Sequence, residues 1–208
     1  MRPGLYTRPA KPLSIPVERR RGVAPLAPRE IAAPVIVDKA TECHVTPPDV
    51  AERMVAIFGD CGDVMTLEPS AGTGALLTAL LNAGQSPFEI CAIEREVSLY
   101  RGLTLRKDLH GAGCISQCFL EYAEEWKGRG DFPRIIMNPP FRKVKQHIAA
   151  AVSLMGQQGH RESAQLVALV PITFEHPDAQ TVEELPPGTF STAPGVRTKI
   201  ILIEKPGT

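Results

Sequence analysis

From Thr46 onward, short apolar runs alternate with stretches of helical periodicity, and few folds accommodate that order. Residues 64–67, 90–93, 114–117, 135–137, 166–170, 182–185 and 200–203 have the length of strands, several with near-continuous apolar runs. Between them, 75–81, 97–105 and 144–155 read as helices. A further helix is expected ahead of the first strand. Thr46-Pro47-Pro48-Asp49 reads as a cap, prolines tolerated in a first turn, and an acid three residues after the cap. Ala51, Met54, Val55 and Phe58 follow at i, i+3, i+4 and i+7, and Gly59 suits a left-handed terminus. Strand, helix, strand repeated in this way predicts an α/β fold with a mostly parallel sheet covered by helices on both faces.

Residues 1–39 break from this pattern. They hold seven of the twenty prolines and carry eight basic against three acidic residues, a net charge of +5. Proline at such short intervals denies the segment regular hydrogen bonding, so an extended or disordered leader is expected, with the folded domain over 40–208. That leader can hold nucleic acid loosely or serve as a solvated tail. The other residues carry 15 basic and 20 acidic groups, so the chain is neutral as a whole and a histone-like packing protein is excluded. No run of about 18 apolar residues predicts a membrane span, and the Arg-containing N-terminus lacks the apolar stretch of a signal peptide. The five cysteines are odd in number and scattered, which points to reduced thiols and a cytoplasmic protein. His110, Cys114 and Cys118 recur at intervals of four. Gly111 and Gly113 interrupt the helix that would align them and no paired CxxC accompanies them, so no metal is expected.

Three short stretches carry the chemistry. Glu68-Pro69-Ser70-Ala71-Gly72-Thr73-Gly74 leaves a buried strand, turns on glycine and enters a helix, the junction at which a ligand approaches backbone closely. No Gly-Lys-Ser/Thr follows, which excludes a P-loop. Leu77 stands where a dinucleotide fingerprint needs its third glycine, which makes a nicotinamide oxidoreductase the weakest contender. Twenty residues past Gly74, Glu94 ends the second strand, where a carboxylate can accept hydrogen bonds from ribose hydroxyls. Asn138-Pro139-Pro140-Phe141 follows the strand at 135–137 directly. The Asn138 amide oxygen and the Pro139 carbonyl would give two acceptors for a planar NH₂ group, the prolines would stiffen the loop, and Phe141 offers a face for stacking a base. Arg142, Lys143 and Lys145 come next, placed to hold flanking phosphates or to solvate the start of a helix.

In these stretches the chain resembles the class I S-adenosylmethionine-dependent methyltransferases, and most closely the amino-methyltransferase group that includes DNA adenine-N6 methyltransferases. The resemblance covers about Thr46 to Lys205 and extends in the last strands to small members, often from phages or mobile elements. It implies a Rossmann-like class I methyltransferase fold and S-adenosyl-L-methionine as cofactor. The cofactor would be held by Thr46, Glu68, Pro69, Ser70, Ala71, Gly72, Gly74, Glu94, Cys118, Phe119 and Asn138. It further implies Asn138, Pro139, Pro140 and Phe141 as the catalytic motif, Phe141, Arg142, Lys143 and Lys145 as substrate contacts, and nucleic acid, with DNA foremost, as partner.

Two departures stand out. Where many relatives place Asp before an aromatic to contact the cofactor's adenine, this chain has Cys118-Phe119. Only ten residues separate Pro171 from Val182, too few for a crossover helix with its loops, so either that helix is lost or the sheet edge is rearranged. No inserted stretch is long enough for a target-recognition domain, which leaves short loops, the leader or a protein partner to supply specificity. Since Asn-Pro-Pro-aromatic reads NH₂ geometry and not its carrier, an RNA base or a protein glutamine is the alternative substrate. A cofactor-binding adaptor without catalysis is a further one.

Overall fold

Apolar side chains alternate between the two faces of the central strands, and that alternation divides the core in two. In the computed structural model, which describes residues 45–60, 64–190 and 195–206, seven strands form one sheet: β1 (Thr66–Glu68), β2 (Ile90–Ile93), β3 (Gly113–Ile115), β4 (Arg134–Met137), β5 (Ala164–Pro171), β6 (Ala179–Leu185) and β7 (Thr198–Lys205). Their order is β3-β2-β1-β4-β5-β7-β6, parallel except for β7, which runs antiparallel to both neighbours. Ile136, Val167 and Leu169 face one core with helices α1 (Pro48–Ala56), α2 (Ala75–Asn82) and α3 (Val97–Thr104). Ile135, Met137, Leu166 and Ala168 face the other with α4 (Phe119–Glu125) and α5 (Val144–Leu154). A fully buried side chain such as Leu77, Ile135 or Ile148 contributes roughly 1.5–3 kcal/mol. The expected α/β fold is therefore the observed one, with boundaries moved by a few residues.

Three expectations change. The N-cap of α1 is Pro47, which has no side chain able to cap, and the Thr46 hydroxyl one residue earlier accepts from Asn138 instead. Helix α4 lies where no helix was expected: seven residues with Phe119, Tyr122 and Ala123 buried are too few for a period to announce itself. The crossover question resolves as a lost helix. Pro171 pairs with Thr198 and Ala179 with Ile203, so the connector must return about five residues along β7, roughly 17 Å, and cross two strand spacings. Residues 172–178 cover that distance with a turn at each end and no helix, since a seven-residue helix spans only about 10 Å. Phe174 is buried beneath this connector and joins the core that holds Ile201.

Cys91, Cys114 and Cys118 are free thiols. No helix among the described residues is long and apolar enough to cross a membrane. The expected leader over 1–39 lies outside the described residues, as do Cys43 and Cys61.

Candidate functional site

The strand order reverses between β1 and β4, and the carboxyl ends of β1, β2, β3 and β4 open onto a common cavity of about 350 Å³. Open α/β sheets bind ligands at such a switch point, and this volume is that of a small-molecule site. The loop after β1 forms its floor. Gly72 turns there with φ of +54°, and the Ala71 N–H donates to the Ile93 carbonyl at 3.0 Å, tying the loop to β2.

Two buried carboxylates organise this loop. Glu94 accepts from the Gly72 N–H through Oε2 and from the Glu96 N–H through Oε1, both at 2.7 Å. Each oxygen keeps a further lone pair, so the carboxylate can brace the loop and still accept from a ligand hydroxyl. Glu68 accepts from the Ser70 N–H at 2.9 Å through Oε1, while its buried Oε2 has no hydrogen-bond partner. Burial pushes the Glu68 carboxyl up to about 8, the Ser70 N–H pulling it down and the Glu94 charge adding to the rise.

At the opposite wall, Asn138 leaves β4 and donates through Nδ2 to the Thr46 hydroxyl at 3.0 Å, although 92 residues separate the two in the chain. This contact orients the amide and makes Oδ1 the acceptor on its other side. The Lys143 N–H donates to the Pro140 carbonyl at 3.0 Å, closing a 3₁₀ turn over Phe141–Lys143 that leads into α5. Arg95, Arg142 and Lys143 are exposed at the cavity rim.

No protein-family model and no curated protein sequence matches the chain. Solved structures do. The methyltransferase subunit of a type I restriction-modification system from Streptococcus thermophilus superposes over 78% of this chain with a TM-score of 0.63 at 18% identity; the chain covers 45% of that protein. The 23S rRNA methyltransferase ErmE superposes over 78% with a TM-score of 0.59 at 13% identity, and 70% of it is covered. TrmN from Thermus thermophilus gives 76%, 0.54 and 16%, with 48% of that chain covered. The fold is the class I methyltransferase fold. The chain spans about half the length of the restriction-modification subunit and of TrmN.

Of the residues singled out from sequence, Thr46, Glu68, Pro69, Ser70, Ala71, Gly72, Glu94, Cys118, Phe119, Asn138, Pro139, Pro140, Arg142 and Lys143 all border the cavity. Gly74, Phe141 and Lys145 do not. Gly74 caps α2 with φ of +82°, and a Cβ there would come within 2.6 Å of Arg106 Nη1 and 2.8 Å of Leu103 Cδ2, on the side of α3. Gly74→Val is therefore expected to act on stability, costing about 2 kcal/mol or more through strain and overpacking, and not by a clash with a ligand. A urea titration checks this. The Phe141 ring packs edge-on against Phe190, centroids 6.5 Å apart, beside the site. Lys145 is exposed at the second residue of α5.

Sequence reading missed His147. It lies on the buried face of α5 with Val144, Ile148 and Ala151, a placement that reads as core, yet it borders the cavity and its Nδ1 is buried without a partner. Burial, helped by the charges of Lys143 and Arg95, holds its imidazole down at about 4, so the ring is neutral.

Glu68 and His147 give stability a definite pH dependence. The folded state holds a proton on Glu68 that the unfolded chain releases between pH 4.5 and about 8, so this group's contribution is lost as pH rises through 8. His147 acts oppositely between about 4 and 6.5, where the unfolded chain takes up a proton and the folded one does not. The two slopes offset each other up to pH 6.5, above which Glu68 acts alone. Stability is expected to fall by on the order of 1–2 kcal/mol between pH 6.5 and 8 and to level off in Glu68→Gln, read from urea midpoints. An unchanged slope in the variant would assign the titration elsewhere.

Proposed function

We propose that this chain is an S-adenosylmethionine-dependent N-methyltransferase whose target is the N6 amine of adenine in DNA. The observation that carries this reading is the Asn138 amide at the wall of the switch-point cavity, oriented by Thr46 and stiffened by two prolines. The cavity fits the cofactor: it has small-molecule volume, a glycine turn against which ribose can lie, a carboxylate with spare lone pairs in Glu94, and a partnerless buried oxygen on Glu68. When bound, S-adenosylmethionine supplies a methyl group already activated on a sulfonium.

What remains for the protein is positioning and charge. Asn138 Oδ1 and the Pro139 carbonyl accept the two N–H groups of the amine and keep its lone pair at nitrogen for the incoming methyl. The proton displaced as the N–C bond forms leaves along the same acceptors to water. Phe141, backed edge-on by the buried Phe190, offers its ring to a base drawn out of its stack, which costs a few kcal/mol in duplex DNA. Arg95, Arg142 and Lys143 at the rim meet flanking phosphates, and Lys145 extends that cationic edge. DNA is favoured because Asn-Pro-Pro-Phe resembles the adenine-N6 group and because a restriction-modification subunit shares the fold. A protein partner for target recognition belongs to the same proposal.

The test is transfer from methyl-labelled S-adenosylmethionine into separate DNA, RNA and protein pools, followed by nucleoside analysis. N6-methyladenine in DNA supports the reading. Label confined to RNA, in keeping with the fold shared with ErmE, or confined to protein would replace the substrate. Cofactor binding without transfer to any pool would favour the adaptor.

A further inference from the structure

The end of the cavity bordered by Phe119 offers few buried side-chain acceptors, and one group there is unused. Cys118, the residue before Phe119, offers only a weakly polar thiol and makes no cap to α4. Gln117 donates its side-chain amide to Glu125 at 2.9 Å at the exposed surface, leaving its Oε1 as an acceptor there. Leu120 is apolar. Arg95 and Lys143 carry donors and no acceptor. His147, by contrast, is 7% exposed, borders the cavity, packs its ring 5.6 Å from that of Phe119 at 45°, and has a buried nitrogen with no partner.

An unpartnered buried imidazole nitrogen costs about 1–3 kcal/mol unless something satisfies it; as the ring stands Nδ1 is turned away from the open cavity, so a ligand meets it only once the ring turns over. A half-turn about χ2 exchanges which edge of the ring faces the cavity. A purine lying against Phe119 has one exocyclic donor group, its amine, and a neutral imidazole has one lone pair to receive it.

We propose that His147 reads the amino edge of the methyl donor's purine, supplying the acceptor that Cys118 does not. This rests on the cofactor reading above and deepens it: specificity for an adenosyl over an inosyl group resides in α5. The low imidazole pKa keeps the lone pair available throughout the neutral range.

The experiment compares binding of S-adenosylhomocysteine and S-inosylhomocysteine to the full chain by calorimetry, for the wild type, His147→Phe and His147→Asn. The wild type is expected to prefer the adenosyl ligand by about tenfold or more. His147→Phe keeps an aromatic ring against Phe119 and is expected to bring that preference to roughly threefold or less, while His147→Asn, with an amide oxygen near the Nδ1 position, restores most of it. As a second measurement on unaltered protein, the ¹⁵N resonances of the His147 ring should move with the adenosyl ligand and not with the inosyl one. That comparison decides the matter if His147→Phe does not fold. Wild-type preference retained in His147→Phe, or no preference in the wild type, overturns the assignment and leaves the cofactor reading standing. Binding of neither ligand to the wild type overturns the cofactor reading and this inference together.

Discussion

Asn138→Ala is expected to lower transfer about 100- to 1,000-fold while leaving cofactor affinity within a few-fold, the scale on which one preorganised hydrogen-bonding group acts in a transition state. The amide is held from one side by the Thr46 hydroxyl, so deleting it removes an acceptor that is already aimed and needs no reorganisation. Alanine also leaves Thr46, which is 4% exposed, without this partner, a cost to stability of about 1 kcal/mol. Thr46→Val separates the two effects. It retains Asn138 but removes the hydroxyl that receives its Nδ2, and should reduce transfer by roughly tenfold with little change in binding. Single-turnover rates at saturating cofactor, alongside calorimetry, check both. Loss of binding in Asn138→Ala with an unchanged rate per bound cofactor would move Asn138 from the amine to the cofactor.

The second large effect is expected at Glu94. Its two oxygens receive the N–H groups of Gly72 and Glu96, so one carboxylate joins the glycine turn to the start of α3. Hydrogen bonds to a charged acceptor contribute about 1.5–3 kcal/mol each, and the Gly72 amide would be left inside the protein without a partner. Glu94→Ala should therefore destabilise the fold by about 3 kcal/mol and weaken cofactor binding by more than about 100-fold, from lost floor geometry and lost hydroxyl contacts together. Glu94→Gln separates the causes. One of its amide positions can no longer accept from backbone, so half of the stability loss should persist. Urea midpoints and calorimetric affinities measure the two losses separately, and full affinity in Glu94→Ala would place the ribose site elsewhere.

The class of fold was legible in the chain because a sheet buried on both faces demands near-continuous apolar runs, and 135–137, 166–170 and 200–203 meet that demand without help from context. The switch-point residues were legible for a related reason. Glycine at 72 and Asn-Pro-Pro at 138–140 shape the backbone locally at strand ends, the acid at 94 follows a strand directly, and those ends meet in one cavity. Gly74 shows the limit of that argument. Its positive φ follows from the turn, but the direction of its missing Cβ, toward Arg106 and Leu103, depends on where α3 packs.

Local patterning by itself determined the strand series, every helix but α4, the glycine turn and the amide-proline loop, since each is enforced by neighbours within a few residues. Tertiary structure decided what those patterns meet. Thr46 reads as a helix cap until the approach of β4 offers its hydroxyl the Asn138 amide, 92 residues away. His147 reads as core because it shares the apolar stripe of α5, and only the arrangement of that helix beside Phe119 brings its ring to the cavity. A side chain's type and period are written locally; its hydrogen-bond partner and the space it faces exist only once distant segments have packed.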